Sequence, residues 1–144
     1  MRFTISAGVA GAVALTFFGF AAQAQSMPQD LGKFEYDNSC ATCHGAGGKG
    51  DGPMLEHLMQ RPSDLTMLSK NNGGVFPVST VYETISGDNE IGAHGSRDMP
   101  AWGRTFRMRA EGDPDFFPGA ADRAAYANIR ILALIEFLAS IQEE

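Results

Sequence analysis

The sequence predicts a small, mostly helical domain with long loops, and three observations support this. The chain has 144 residues, which is enough for one domain with a hydrophobic core. Apolar residues recur at helical spacing in three segments, and no segment is typical of a β-strand. The intervening segments are rich in glycine, proline and asparagine, which interrupt regular structure. Loops of this kind need something to wrap around.

The first 24 residues are predicted to be a cleaved secretory signal peptide that lies outside the domain. Arg2 provides a basic start, residues 5–20 are apolar, and Ala22-Gln23-Ala24 fits a signal peptidase site. The alternative is an uncleaved membrane anchor, although the apolar stretch is shorter than the roughly 20 residues of a spanning helix. We therefore expect export to the periplasm, cleavage after Ala24, and a single domain over residues 25–144.

Three helices are predicted in this domain. The first covers about 26–44, between a serine–proline start and Gly45. The second covers 79–86, where apolar residues recur every three or four positions and Gly87 supplies the stop. The third covers about 120–142 and is apolar around so much of its circumference that most of it must be covered.

The net charge of −6 argues against nucleic acid and anionic membrane surfaces as partners, because both would repel the chain. Positive charge is nevertheless concentrated at Arg97, Arg104, Arg107 and Arg109, and acidic residues follow immediately. These arginines could form a binding surface or simply a solvated one, and the charge pattern alone does not distinguish the two.

Residues 40–53, CATCHGAGGKGDGP, contain both cysteines of the chain and can be compared with several kinds of site. The GxGxxG phosphate loop matches residues 45–50, but it requires a preceding strand and a following helix. A zinc site needs two more ligands, and His57 and His94 have none of the common spacings. His57 is instead expected to face solvent. A redox dithiol lacks its βαβ framework, and a disulfide this short restrains little of the unfolded chain.

Covalent haem attachment accounts for Cys40, Cys43 and His44 together. Thiols three positions apart can add to the two vinyl groups of one haem, and the next histidine becomes the fifth ligand of the iron. Neither a bare redox dithiol nor a disulfide explains why a histidine follows the second cysteine.

A sixth ligand is then expected, and Met99 in RDMPAWG is the leading candidate. It precedes Pro100 in a stiffened, irregular loop, and a methionine thioether is a soft ligand that suits low-spin iron. His94 is the rival candidate. Three other methionines are assigned to gap-filling in the core: Met54, Met59 and Met67.

The chain resembles the class I c-type cytochromes over nearly all of residues 25–144. The shared features occur in the order found in that family: a helix with Gly32 and Tyr36, the CATCH motif, the GKGDGP turn, the RPSDLT segment, the VYETISG helix, the Met99-Pro100 loop and an apolar last helix. The resemblance implies a cytochrome c fold of three to four helices around one covalently bound haem c. Cys40 and Cys43 would form the thioethers, and His44 and Met99 would be the axial ligands.

The resemblance also implies two sets of contacts, and the position of three further residues suggests a third. Gly32 and Tyr36 would pack against Leu134 and Phe137 where the first and last helices cross. The carbonyl of Pro53 would accept a hydrogen bond from the second ring nitrogen of the histidine ligand. From their place beside the expected methionine ligand and their donor chemistry, Trp102, Arg97 and Arg104 are candidates to contact the haem propionates.

Two departures from the family leave the docking partner open. The only lysines are Lys33, Lys49 and Lys70, so the lysine ring of the mitochondrial type is missing. The connection over residues 103–120 is longer than a minimal member needs, and loops of this length are often functional.

The function implied is that of a one-electron carrier between redox proteins, not an enzyme. Its partners would be a dehydrogenase, a cytochrome bc-type complex, or a terminal oxidase or reductase. The protein would be a monomer or form transient complexes, without a membrane span in its mature form. One alternative is the cytochrome c subunit of a periplasmic dehydrogenase complex. Another is a haem-based sensor or peroxidase-like enzyme in which the methionine leaves the iron.

Overall fold

The computed structural model of the protein describes residues 27–87, 99–112 and 119–143. Within these ranges the regular structure is helical and no strand is present, as the sequence predicts. The predicted signal peptide lies outside the described residues. None of the described helices combines the length and apolar character that crossing a bilayer requires. The α-helices are α1 (Met27–Ser39), α2 (Ala41–His44), α3 (Leu68–Asn71), α4 (Val78–Ser86), α5 (Trp102–Glu111) and α6 (Ala120–Ser140), with 3₁₀ turns at Leu55–His57 and Leu65–Met67.

The three predicted helices are present, with one interruption. The first is divided at Cys40, so that α1 ends at Ser39 and the short helix α2 carries the rest of the motif. Helix α4 ends as expected, because Gly87 adopts a left-handed φ of 89° and its N–H donates to a carbonyl in the last turn. Helix α6 buries Ile131, Leu134 and five other residues.

Residues 103–120 were expected to be a long connection, but much of this segment is helix α5. Its buried residues are Gly103, Phe106 and Ala110, which share one face of the helix, and Phe106 has no exposed surface. This face packs against α6 and, less extensively, against α4. The remaining side chains of α5 are mostly polar and exposed, which gives the segment the composition of a loop.

Helix α6 is the centre of the described fold, because α1, α4 and α5 all pack against it. At the crossing with α1, a Cβ atom on Gly32 would lie 2.1 Å from the carbonyl oxygen of Ala133, so only glycine permits this approach. The rings of Tyr36 and Phe137 pack with their centroids 5.0 Å apart. The expected helix crossing is therefore confirmed for Gly32, Tyr36 and Phe137. The closest neighbour of Gly32 is Ala133, and the next residue, Leu134, is fully buried.

Replacing Gly32 by alanine is expected to destabilise the fold by about 1–3 kcal/mol, because the new methyl group forces two backbones apart. Gly47→Ala is the matched control, since a Cβ atom on Gly47 would have no neighbour within 4 Å. The free energy of unfolding in urea, measured on both purified variants, checks the prediction. Equal stability of the two variants would contradict the close approach of α1 and α6.

Candidate functional site

Cys40 lies between α1 and α2, and Cys43 and His44 lie on the single turn of α2. The N–H of Cys40 donates to the carbonyl of Tyr36 at 2.8 Å. The N–H groups of Cys43 and His44 in turn donate to the carbonyl of Cys40, at 3.1 and 2.9 Å. Both cysteines are free thiols and form no disulfide. The chain thus presents two thiols and an imidazole from a single short piece of backbone.

The glycine turn, residues 45–54, folds back along this motif. Its N–H groups at Gly50, Gly52 and Met54 donate to successive carbonyls of the motif, those of His44, Cys43 and Thr42, at 2.8, 3.2 and 3.1 Å. A Cβ atom on Gly52 would lie 2.5 Å from the carbonyl oxygen of Thr42, so glycine is required for this approach. Within residues 45–50, the N–H groups of Gly45, Gly48 and Gly50 all donate to carbonyls of the protein's own backbone, so this segment does not form a phosphate loop.

The imidazole of His44 is oriented by the carbonyl of Ser63, which lies 3.0 Å from Nδ1. The prediction that the Pro53 carbonyl is this partner is therefore wrong. The chain continues through the glycine turn and then places the carbonyl of Ser63 beside Nδ1. The tautomer that donates from Nδ1 leaves the lone pair of Nε2 available to a metal. Burial lowers the pKa of His44, and the hydrogen bond with the Ser63 carbonyl opposes this with a smaller effect. The lowered pKa favours the neutral ring, which is the form that ligates metals.

The segment that contains Ser63 is held in place by distant parts of the chain. The N–H of Leu65 donates to the carbonyl of Gly48 at 2.6 Å. The side-chain amide of Gln142, just beyond α6, donates to the carbonyl of Leu65 at 2.7 Å. The N–H of Glu143 reaches the neighbouring carbonyl of Thr66 at 2.8 Å. The orientation of the imidazole therefore depends on the packing of the last helix.

The environment of Cys40 does not suit a thiolate. Burial raises the pKa of this thiol to about 12, and the negative charge of Glu35 contributes in the same direction. Zinc binds cysteine as thiolate, and the described residues contain no group of three His, Cys, Asp or Glu side chains that could hold a metal ion. A neutral thioether, in contrast, fits a buried apolar position.

The methionines differ clearly in their surroundings. Met99 is partly buried and packs against the main hydrophobic cluster. Met59 is 98% exposed and Met54 is 38% exposed, so their assignment to the core is wrong, whereas Met67 is partly buried. Met54 and Met59 lie on either side of the 3₁₀ turn Leu55–His57, on a short surface segment, which explains their exposure. The rival ligand His94 lies outside the described residues.

The structure describes two of the three candidates for propionate contacts, and both lie on α5. Trp102 is partly buried, with its ring centroid 6.2 Å from that of Phe106, and Arg104 is exposed on α5. Arg97 lies outside the described residues. Their contacts with the propionates stay a prediction. His57 is exposed, as expected.

Two residues near the site escaped the sequence analysis. Ser63 acts through its backbone carbonyl, which no side-chain pattern reveals. Glu35 is a buried carboxylate on α1 that binds two arginines, Arg109 and Arg130. The sequence feature that could have indicated its burial is its position directly before Tyr36, which lies on the apolar face of α1.

The donor set fits a covalently bound haem. Two thiols and a neutral, oriented imidazole lie on one turn, and a thioether sulfur packs against the adjoining core. A model of the cytochrome c family matches residues 29–141. The chain therefore belongs to the cytochrome c family, whose members carry covalently bound haem and generally transfer electrons instead of catalysing a reaction. Searches of curated proteins and of solved structures find no match.

The hydroxyl of Tyr36 provides a pH-dependent test of the site. It donates to the carbonyl of Gly45 at 2.6 Å, so Tyr36→Phe should cost about 1 kcal/mol of unfolding free energy at pH 7. Burial raises the pKa of Tyr36 from 10.0 to about 12. A raised pKa means that this stabilisation is complete below pH 10 and is lost as the pH rises towards 12.

The difference in stability between the wild type and Tyr36→Phe should therefore shrink above pH 10. Urea unfolding at pH 7 and at several alkaline pH values measures it. Tyr82→Phe is the control at pH 7, because that hydroxyl bonds Asn128 on the surface and its loss should cost less. A difference for Tyr36→Phe that does not change with pH would contradict the buried hydrogen bond.

Proposed function

We propose that the protein is a periplasmic carrier of one electron, with a single haem c bound through Cys40 and Cys43 and ligated by His44 and Met99. The observation that carries this proposal is the orientation of His44, whose Nδ1 faces the carbonyl of Ser63 and whose Nε2 is thereby left for the iron. If His44 and Met99 both bound the iron, it would have no open position for a substrate.

The haem supplies a reversible one-electron iron couple when bound. The chain's residues have separate roles around it. Cys40 and Cys43 would retain it covalently, and the Ser63 carbonyl would fix the tautomer of His44 and increase its electron donation. The thioether of Met99 is a soft ligand that raises the reduction potential relative to stronger donors.

Redox partners are implied by the family, and we infer that they dock at the surface around the attachment motif. Thr42, Ala46 and Gly47 are exposed there and carry no charge. Lys49 and Asp51, further along the same turn, are also exposed and carry opposite charges. A small surface of this kind suits the weak, transient contacts of electron-transfer proteins. A dehydrogenase, a cytochrome bc-type complex, or a terminal oxidase or reductase would be the donor or acceptor. Export through a cleaved signal peptide over residues 1–24 belongs to the same proposal.

The second candidate function is that of a cytochrome subunit in a periplasmic dehydrogenase complex. Helix α5 favours it, because Met108 is 56% exposed between charged neighbours. A shallow cavity of about 490 Å³ lies beside it and is also lined by Arg104, Arg107 and Arg123. Co-purification with a large subunit that contains flavin, quinone or molybdenum would favour this function over a free carrier.

Carbon monoxide binding tests the carrier function directly. The ferrous wild-type protein should not bind carbon monoxide within the mixing time, because a methionine occupies the sixth position. Met99→Ala should bind it rapidly and should also lose the weak red absorption band of sulfur on ferric iron. Met59→Ala, at a position 98% exposed, is the control and should behave as the wild type does.

Two results would count against this account. Rapid binding by the wild type would favour the sensor or peroxidase-like alternative. A red band that persists in Met99→Ala would assign the sixth position to another methionine.

A further inference from the structure

The buried carboxylate of Glu35 forms an ion triad with the partly exposed side chains of Arg109 and Arg130, and this triad joins three helices. The carboxylate is on α1 and is 1% exposed. Its Oε2 lies 3.1 Å from Nη1 of Arg109 on α5, and its Oε1 accepts from Nη1 of Arg130 on α6. Each carboxylate oxygen is thus assigned to a different helix.

Both arginines are held by further contacts. The guanidinium carbon of Arg109 lies 5.3 Å from the centroid of the Phe106 ring, and that of Arg130 lies 4.1 Å from the centroid of the Tyr126 ring. Planar guanidinium groups stacked in this way give hydrogen bonds of defined direction. Because a buried carboxylate that loses a cationic partner is costly, the triad resists separation of the three helices.

Helix α5 is consequently fixed at both ends. Near its start, a Cβ atom on Gly103 would lie 2.6 Å from the carbonyl oxygen of Ser86, so α5 is seated directly on the end of α4. Near its end, Arg109 binds Glu35. Phe106, with no exposed surface, fills the space between these two points.

Met99 is coupled to α5 through a very short connection. Only Pro100 and Ala101 separate Met99 from the first residue of the helix, and the proline ring restricts the backbone further. A displacement of α5 would therefore displace the sulfur atom of Met99 by a similar distance.

We propose that the Glu35–Arg109 ion pair positions Met99, so that it controls how readily the sixth ligand is displaced from the iron. The proposal rests on the proposed function, in which Met99 ligates the haem. Arg109 and Arg130 differ in this respect, since only Arg109 belongs to the helix that follows Met99. Arg109 is thus a positioning residue, whereas Arg130 stabilises the α1–α6 packing alone.

The test compares Arg109→Gln with Arg130→Gln in the haem-loaded protein. Both variants remove one positive charge and one partner of Glu35, so they are matched in chemistry. Imidazole is added to the ferric protein, and its displacement of the methionine is followed through the loss of the red sulfur–iron band. The free energy of unfolding in urea is measured in parallel for each variant.

Arg109→Gln is expected to bind imidazole about tenfold more tightly than the wild type, a change within the range for coupling through packed elements. Arg130→Gln should stay within about twofold of the wild type even where its stability is lowered as much. Arg109→Lys, which keeps the charge, should lie between the wild type and Arg109→Gln. If Arg109→Gln does not fold, the same comparison is made with Arg109→Lys and Arg130→Lys.

Equal imidazole affinities of the matched variants would overturn the positioning role and leave the pair with a purely structural one. A wild-type protein that carries haem but shows no sulfur–iron band would instead overturn the assignment of Met99 in the proposed function. The two failures are therefore distinguishable from the spectrum of the wild type alone.

Discussion

The close approach of α1 and α6 at Gly32 is the contact on which the rest of the structure depends. Helix α1 leads directly into the attachment motif at Cys40. The residues that follow α6 bind the backbone just beyond Ser63, through Gln142 and its neighbour. The crossing therefore fixes the thiols relative to the carbonyl that orients the imidazole. Because α5 also packs on α6, the segment that carries Met99 is tied to the same contact.

Charge is arranged so that the donor set stays neutral within an acidic chain. The one buried carboxylate described near the motif, Glu35, is bound by two arginines. Burial keeps the Cys40 thiol uncharged and favours the neutral form of His44. Neutral donors of fixed orientation suit an iron centre whose charge changes by one during electron transfer, since the protein need not rearrange around it.

Local patterns in the sequence predicted the features that depend on local contacts. The three helices and the attachment motif follow from periodicity and spacing. The Gly32 crossing, a contact between the first and last helices, follows instead from the family resemblance. Helix α5 was missed because only three of its residues, Gly103, Phe106 and Ala110, are buried, and exposed arginines dominate its composition. Ser63 was missed because its carbonyl is placed by contacts with residues more than 70 positions away, which no local pattern encodes.

The proposed electron-carrier function depends most directly on the covalent attachment of one haem to the CATCH motif. Mass spectrometry of the protein, exported with a c-type maturation system and digested after acid–acetone extraction, measures this attachment. We expect one haem on the peptide that contains Cys40 and Cys43, and no haem in the extract. Unmodified cysteines, or a disulfide between them, with all haem in the extract would contradict the account.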